Sequence, residues 1–322
     1  MKILLIGGSG FLGAWVTRFL QKNQFQIRIF DTRTPDSEWH RLSGISMDDS
    51  EFVEGDISRK SEVEEAMKGC QGVINLAGLL TPQCSADPIR GAEVNLIGSI
   101  NVFEAALKHD LNMVAYTSSN GVFGPDHADF PEPTTHYGSY KLASEGVARA
   151  FYEEQGISSL GVRPFVVYGP GREIGGSAGP SIACRMAVQN QAYQIPFTGL
   201  SGFVYAGDVA AILCQAVMEE IKGAPVINMP GITASVEDFT QEIQRQMPDA
   251  VISAAGPPLP VYGIIPPNPS WPLSRNHEPT PLSTGIARTL EYYATGSLSM
   301  ESSQEEKSHG RSNHKTTFQE PS

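Results

Sequence analysis

Short apolar runs alternate with longer segments of helical period along the first half of the chain. The segment after the first run has Phe11, Trp15 and Phe19 at i, i+4 spacing, as on one face of a helix. Strand-like runs that alternate with helices predict an α/β fold with a doubly wound parallel sheet and helices on both of its faces. The runs are KILLI (2–6), QIRIF (26–30), EFVEG (51–55), GVINLAG (72–78), MVAYTSS (113–119) and SSLGVRPFVV (158–167).

Two later helical segments have apolar rows of their own. One precedes the fifth run and the other follows it, and both rows predict amphipathic helices beside the sheet. The rows are formed by Leu96, Ile100, Phe103 and Leu107, and by Ala143, Val147 and Phe151.

The sequence IGGSGFLG joins the first run to the first helix. It places Gly7, Gly10 and Gly13 in G-x-x-G-x-x-G spacing. The first glycine permits a sharp turn, the second lets backbone N–H groups approach a pyrophosphate, and the third allows the helix to pack closely on the strand. Because a strand precedes the motif and an amphipathic helix follows it, we predict a Rossmann-type dinucleotide site.

The second run is followed at once by Asp31, eighteen residues after Gly13. A carboxylate at this point accepts hydrogen bonds from the ribose hydroxyls and repels a 2′-phosphate, so it favours NAD over NADP. Arg33 would offset part of that repulsion, which leaves NADP as the less favoured alternative. A role for Asp31 as a turn or N-cap residue does not account for its spacing from the glycines.

Composition removes several classes of function. The net charge of −12 argues against a nucleic-acid partner, because binding a phosphate backbone needs clustered Lys and Arg. The four cysteines are isolated and have no histidine at ligand spacing, so we expect reduced core residues and no metal site. The apolar start MKILLIGG is too short for a signal-peptide core, and no run of about 20 apolar residues occurs. These features predict a cytoplasmic protein without a membrane partner.

The pattern changes after about residue 170. A glycine-rich segment, GPGREIGGSAGPS, is followed by a predicted helix near 181–190, one more strand and helix in GFVYAGDVAAILCQAVM, and a proline-rich stretch over 256–282. We assign residues 1–170 and 203–222 to the NAD-binding domain, and 171–202 and 223–296 to a smaller C-terminal substrate lobe. Residues 297–322 are poor in apolar side chains, and we expect disorder there.

The stretch YGSYK places Tyr137 and Lys141 four residues apart. On a helix this spacing brings a phenol and an ammonium to one face, which permits a proton relay without proving one. An ammonium about 4 Å from the phenol would favour the phenolate by roughly 4 kcal/mol, or about 3 pK units. The other interpretation is two polar residues on the outside of a helix.

The order of the motifs resembles the extended short-chain dehydrogenase/reductase family, the NAD-dependent epimerase/dehydratases. The resemblance covers the chain from Lys2 to about Tyr292. The motifs are GGSGFLG, GDIS (55–58), NLAG (75–78), VNLIGSINVFEAA (94–106), TSSNGVFG (117–124), YGSYK, RPFVVYGPG (163–171), FVYAGDVA (203–210) and TPLSTGIARTLEYY.

This resemblance implies an NAD-dependent enzyme with Tyr137 as the catalytic acid/base, Lys141 as its activator and Ser119 as the catalytic hydroxyl. Family members commonly pair through the two helices that hold Asn95 and Tyr137, so a homodimer is expected. In isolation, Ser119 would be an ordinary strand-end serine and Asn95 a helix-surface residue. The predicted cofactor-binding positions are Gly7, Gly10, Phe11, Leu12, Gly13, Asp31, Thr32, Arg33, Asp56, Ile57, Leu76, Ala77, Gly78, Asn95, Tyr137, Lys141 and Phe165.

The substrate is less sharply defined. Family members that act on nucleotide-diphosphate sugars usually have a diphosphate-binding arginine just ahead of the seventh strand, where this chain has Ser201. Serine cannot replace a bidentate guanidinium, which favours a small sugar, sugar acid or hydroxy acid. Arg172 is a candidate for binding a carboxylate or phosphate, or else a surface ion-pair residue.

Three functions remain open from the sequence. The first is a dehydrogenase that exchanges a hydride between nicotinamide and a secondary alcohol. The second is a sugar or nucleotide-sugar epimerase or dehydratase that retains NAD, since the same Ser, Tyr and Lys serve both chemistries. The third is a non-catalytic NAD(H)-binding regulator, which the joint presence of Ser119, Tyr137 and Lys141 argues against.

Overall fold

The computed structural model describes residues 1–46, 50–219, 221–266 and 278–298. The predictions for residues 267–277 of the proline-rich stretch and 299–322 of the tail therefore lie outside the described residues.

Seven parallel strands form the central sheet, in the spatial order β10-β6-β5-β4-β1-β2-β3. The predicted doubly wound α/β fold is confirmed. All six predicted runs contribute a strand to this sheet. Its members are β1 (Lys2–Ile6), β2 (Gln26–Asp31), β3 (Glu51–Glu54), β4 (Gly72–Asn75), β5 (Met113–Thr117), β6 (Ser158–Pro164) and β10 (Val226–Met229).

Helices cover both faces of the sheet, so strand residues alternate between two cores. In β1, Ile3 and Leu5 face one apolar cluster while Leu4 and Ile6 face the other. The helices are α1 (Phe11–Lys22), α2 (Ser37–Ser43), α3 (Lys60–Met67), α4 (Thr81–Ala86), α5 (Pro88–Ala92), α6 (Gly98–Lys108), α7 (His136–Gln155), α8 (Gly179–Val188), α9 (Ala206–Met218), α10 (Val236–Gln246) and α11 (Leu282–Thr295).

Two small sheets lie outside the central one. Strand β9 (Leu200–Tyr205) pairs with β7 (Val166–Tyr168) and β11 (Ile232–Ser235), and β8 (Tyr193–Ile195) pairs with β12 (Ile252–Ala254). The single run predicted over 158–167 is therefore broken: Phe165 separates β6 from β7, immediately after Pro164, which has no N–H to donate to a ladder.

Two strand assignments differ from the sequence interpretation. Strand β9, of which residues 203–205 were assigned to the NAD-binding domain, belongs to the three-stranded sheet. Strand β10 lies in the range assigned to the substrate lobe, yet it pairs with β6 and completes the central sheet. Both pairings are long-range, so local sequence patterns contain no signal for them.

The apolar rows of α6 and α7 are only partly covered. Phe103 is buried, but Leu107 is 44% exposed, and Val147 and Phe151 are half-buried. The buried face of α7 instead carries Gly138, Lys141, Ser144, Glu145 and Ala148. Polar side chains thus occupy the buried face of this helix. Its apolar row is only partly buried. No helix in the described part of the chain is long and apolar enough to cross a membrane.

Candidate active site

The glycine motif forms a turn between β1 and α1, at the carboxyl edge of the sheet. Gly7 has a φ of 73°, and a Cβ there would lie 2.6 Å from the backbone nitrogen of Ala77. A Cβ at Gly13 would lie 2.0 Å from the carbonyl oxygen of Gly8, so a side chain would separate α1 from the turn. Strands β1 and β4 are neighbours here, and the strand order reverses between them. In open α/β sheets, this crevice is where dinucleotides bind.

The N-terminus of α1 is open. Its N-cap, Gly10, has no side-chain hydrogen bond, so the first backbone N–H groups keep their capacity to bind an anion. The buried hydroxyl of Ser9 also has no hydrogen-bond partner. An orphaned hydroxyl beside an uncapped helix end fits the pyrophosphate of NAD. The sequence interpretation missed Ser9, although it lies between two of the glycines.

Asp31 ends β2 beside this turn. One carboxylate oxygen accepts a hydrogen bond from the Ser9 backbone at 3.0 Å, and the other accepts one from the Thr32 backbone at 2.7 Å. Thr32 and Arg33 are exposed. The carboxylate is therefore held at the position where a ribose would bind, and Arg33 remains free to move.

Asp56 and Ile57 follow β3. Asp56 accepts hydrogen bonds from the Ser58 backbone and hydroxyl and pairs with Arg90 at 2.5 Å. Burial alone would raise the pKa of Asp56, but Ser58 and Arg90 outweigh it and hold that pKa below its usual value. Ile57 is buried, and its carbonyl oxygen accepts a hydrogen bond from Asn101. Asp56 thus has hydrogen bonds and an ion pair within the protein that the sequence interpretation did not predict.

Residues 76–78 continue from β4 along the open edge of the sheet. The backbone N–H of Ala77 is bonded to the side chain of Asn75 at 3.1 Å, and Gly78 is exposed. A Cβ at Gly78 would lie 2.6 Å from Asn95 Oδ1 and 3.4 Å from Lys141 Nζ. The predicted cofactor strip of Leu76, Ala77 and Gly78 therefore runs directly to the predicted catalytic lysine.

The three predicted catalytic residues come together. Ser119 follows β5 and Tyr137 is the second residue of α7; a Cβ at Gly121 would lie 3.2 Å from Ser119 Oγ and 3.7 Å from the Tyr137 ring, so the two side chains meet at this glycine. Lys141 Nζ lies 5.8 Å from the centre of the Tyr137 ring and donates to the carbonyl oxygen of Thr117 at 2.7 Å. The fold thus brings Ser119, Tyr137 and Lys141 together, and the proton relay stays a prediction.

Gly138 makes this close approach possible. A Cβ at Gly138 would lie 2.1 Å from the carbonyl oxygen of Gly121, in the 3-10 turn that follows Ser119. Only a residue without a side chain lets the start of α7 contact that turn. The sequence interpretation missed Gly138.

The electrostatics differ from the expectation. Without cofactor, burial raises the pKa of the Tyr137 phenol, while Ser119 and Arg172 lower it; the raising effect prevails. The ammonium of Lys141 lies 5.8 Å from the centre of the ring, and the pKa of the phenol in the protein alone is raised, whereas the sequence led us to expect that Lys141 would lower it. Burial also lowers the pKa of Lys141 to about 8, against the opposing effects of Cys84 and Glu145.

Asn95 lies near Lys141 but has no direct hydrogen bond to it. Its amide nitrogen donates to Leu79 and to Cys84 Sγ, and its Oδ1 is buried without a partner. Asn95 sits in a π-helical turn, Glu93–Ile97, a distortion that often marks functional sites.

A buried ion pair anchors the helix that carries the relay. Glu145, one turn after Lys141, accepts two hydrogen bonds from Arg163 on β6 and one from Ser118. The sequence interpretation missed Glu145. The i, i+4 spacing from Lys141 was the available signal, because it places both side chains on one face.

Three further predicted positions have distinct surroundings. Phe165 is half-buried between β6 and β7 and packs against the core. Ser201 is buried in β9 opposite Ala234, so it cannot take over the contacts of an arginine. Arg172 is half-buried above the Phe11 ring, 5.6 Å from its centre, and has no ion pair among the described residues.

No group of three or more metal-ligating side chains occurs among residues 1–46, 50–219, 221–266 and 278–298.

Comparison with known proteins agrees with this arrangement. The sequence model of the NAD dependent epimerase/dehydratase family matches residues 3–229. The chain belongs to this family. Members combine a Rossmann-type sheet with NAD, and the chain is accordingly an NAD-dependent enzyme.

Individual relatives include both epimerases and dehydrogenases. A protein of Methanocaldococcus jannaschii, named provisionally as a UDP-glucose 4-epimerase, is 30% identical over 65% of this chain and 70% of its own length. The sterol-4-alpha-carboxylate 3-dehydrogenase (decarboxylating) of Saccharomyces cerevisiae is 29% identical over 53% of this chain, which spans 52% of that enzyme. The fold of Thermus thermophilus UDP-glucose 4-epimerase, solved with NAD, matches 92% of this chain and 99% of its own with a TM-score of 0.78 at 21% identity.

Proposed function

We propose that this family member is a dehydrogenase that oxidises or forms a secondary alcohol on a small sugar, sugar acid or hydroxy acid. The observation that carries the proposal is the contact of Ser119, Tyr137 and Lys141 at the open edge of the sheet, beside the predicted cofactor strip. The buried Ser201, which leaves the diphosphate-binding arginine without a substitute, supports a substrate smaller than a nucleotide sugar.

NAD fits the residues that the structure brings to the crevice. The Ser9 hydroxyl and the N-terminus of α1 would bind its pyrophosphate, Asp31 its ribose, and residues 76–78 would lie along it. When bound, NAD supplies the acceptor for the carbinol hydride, and its positive charge favours the phenolate.

The protein residues manage the proton. In the oxidation direction, the Ser119 hydroxyl orients the substrate oxygen and Tyr137 Oη accepts its proton. Tyr137 must be the phenolate before it accepts this proton, and Lys141, held by the carbonyl oxygen of Thr117, stabilises that negative charge. In the reverse direction Tyr137 donates that proton to the carbonyl oxygen.

Replacement of Tyr137 tests the proposal. We expect Tyr137→Phe to lower kcat by about 100-fold to 10,000-fold, the usual contribution of a positioned acid/base, with little change in NADH affinity. Tyr140→Phe is the matched control, because Tyr140 lies in the same motif but donates to the carbonyl oxygen of Pro88. Turnover of both variants is followed by NADH absorbance with a panel of sugars, aldonates and hydroxy acids. Full activity in Tyr137→Phe would refute the assigned role.

A retained-cofactor epimerase or dehydratase is the second candidate, favoured by the names of the archaeal and Thermus relatives. Two measurements on the purified protein distinguish a dehydrogenase from an epimerase. A dehydrogenase forms NADH in step with product and releases it. An epimerase forms none at steady state, and NAD is recovered from the protein only after denaturation. If neither reaction occurs but NADH binds, the protein is a cofactor-binding regulator.

We also propose a homodimer and a reducing compartment such as the cytoplasm. The first is supported by the apolar rows of α6 and α7, in which Leu107 is exposed and Val147 and Phe151 are half-buried. The second is supported by Cys70, Cys84, Cys184 and Cys214, all of which are buried and unpaired.

A further inference from the structure

Arg172 is a half-buried guanidinium without an anionic partner among the described residues. Its Nε is buried and makes no hydrogen bond. Four other half-buried arginines, Arg28, Arg90, Arg163 and Arg185, each pair with a carboxylate, and Arg18 donates to the carbonyl oxygen of Leu42. Buried charges are normally paired, so an unpaired one indicates a missing ligand.

The neighbouring carboxylate is not available to Arg172. Glu173 forms an ion pair with Arg185 at 3.0 Å and accepts a hydrogen bond from the Tyr293 hydroxyl at 2.9 Å. In the loop after β7, Glu173 thus pairs away from Arg172, its neighbour in sequence. The guanidinium of Arg172 lies on the side of the crevice, beside Phe11.

Arg172 lies beside the cofactor turn. Its guanidinium is 5.6 Å from the centre of the Phe11 ring, and its charge acts on the Tyr137 phenol. A ring contact engages the face of the guanidinium, whereas the N–H donors lie in its plane and remain open. Those donors fit the two oxygens of a carboxylate.

We propose that Arg172 binds a carboxylate that the substrate carries near its reacting carbinol, so that the enzyme acts on hydroxy acids or sugar acids rather than on neutral sugars. The inference rests on the proposed function and names its substrate class. The pyrophosphate of the cofactor is the other oxyanion within the same crevice. We favour the substrate, because a Cβ at Gly175 would lie 2.9 Å from Leu80 Cδ1 and 3.1 Å from Arg172 Nη2, which places the guanidinium beside the segment that follows the cofactor strip at its catalytic end.

The test compares acid and neutral forms of the same small sugar on the NADH-bound enzyme. Probes are galacturonate with galactose and gluconate with glucitol, and their dissociation constants are read from NADH fluorescence. We expect at least one acid to bind more than about tenfold tighter than its neutral counterpart, as a charge-assisted pair predicts. Arg172→Gln should remove this preference, and Arg172→Lys should restore part of it.

Arg18→Gln is the matched control, because Arg18 is half-buried on α1 and donates to the carbonyl oxygen of Leu42; this variant should keep the preference. The proposal is wrong if the wild type prefers no acid, or if Arg172→Gln retains the preference. It is also wrong if Arg172→Gln weakens only NADH and ADP-ribose binding, which would assign the arginine to the cofactor. Tyr137→Phe should keep the acid preference while losing turnover, so the two proposals fail separately.

Discussion

At the scale of single residues, Lys141 is a cation that the fold buries without a carboxylate in direct contact. It is 6% exposed, and in the described part of the chain its ammonium donates to the backbone carbonyl oxygen of Thr117. Burial of this kind costs stability, because the charged form loses its hydration. Such a cost is expected at a residue retained for its charge rather than for packing.

This cost predicts a pH dependence. The pKa of Lys141 falls from 10.5 to about 8 on folding. Below the folded value the ammonium destabilises the protein, and the penalty disappears as the pH rises toward the unfolded value. Lys141→Met should therefore raise the unfolding free energy at neutral pH by on the order of 3 kcal/mol, and this gain should vanish near pH ~10.5.

Urea denaturation of the variant and the wild type across this pH range measures the effect. Lys22→Met, at an exposed lysine, serves as the control and should show no such trend. A gain for Lys141→Met that does not change with pH would show that the pKa of Lys141 is the same in the folded and the unfolded protein, which contradicts the account.

At the scale of elements, the relay depends on how closely the start of α7 approaches the turn after β5. Gly138→Ala would place a Cβ 2.1 Å from a carbonyl oxygen, so the helix must shift. We expect a loss of about 1–3 kcal/mol in unfolding free energy and a large loss of turnover. Gly146→Ala lies on the same helix with open space around it and should stabilise the protein by about 0.5–1 kcal/mol. Equal stability losses in the two variants would contradict the account.

The central elements could be predicted because their signals are local. Strand runs, the glycine turn and the Tyr-Lys spacing each lie within a few residues, and the structure reproduces all of them. The partners of β9 (β7 and β11) and of β10 (β6) could not be predicted, because the pairing of short strands depends on contacts that are distant in sequence. The unpaired state of Arg172 was also hidden, because it depends on where Glu173 and Arg185 meet in space.

At the scale of the whole molecule, the proposed homodimer would cover the partly exposed apolar rows of α6 and α7. Leu107 of the α6 row is 44% exposed, and so is Ile97, the last residue of the π-helical turn that precedes α6. We expect the double variant Ile97→Glu, Leu107→Glu to convert a dimer into a folded monomer, because charges would be buried in the interface. Light scattering after size exclusion measures the mass. Val251→Glu, at an exposed apolar residue elsewhere, should remain dimeric. A wild type that is already monomeric would refute the dimer.

The central claim is that bound NAD, with Lys141, makes the Tyr137 phenol acidic enough to exchange protons with an alcohol. The most direct measurement is an ultraviolet titration of the phenolate, taken as the difference between the wild type and Tyr137→Phe, with and without NAD⁺. Without cofactor, burial raises the pKa of Tyr137 above its ordinary value of 10. The account predicts that saturating NAD⁺ moves the midpoint of the titration well below 10. A midpoint that stays above 10 with NAD⁺ bound would contradict it.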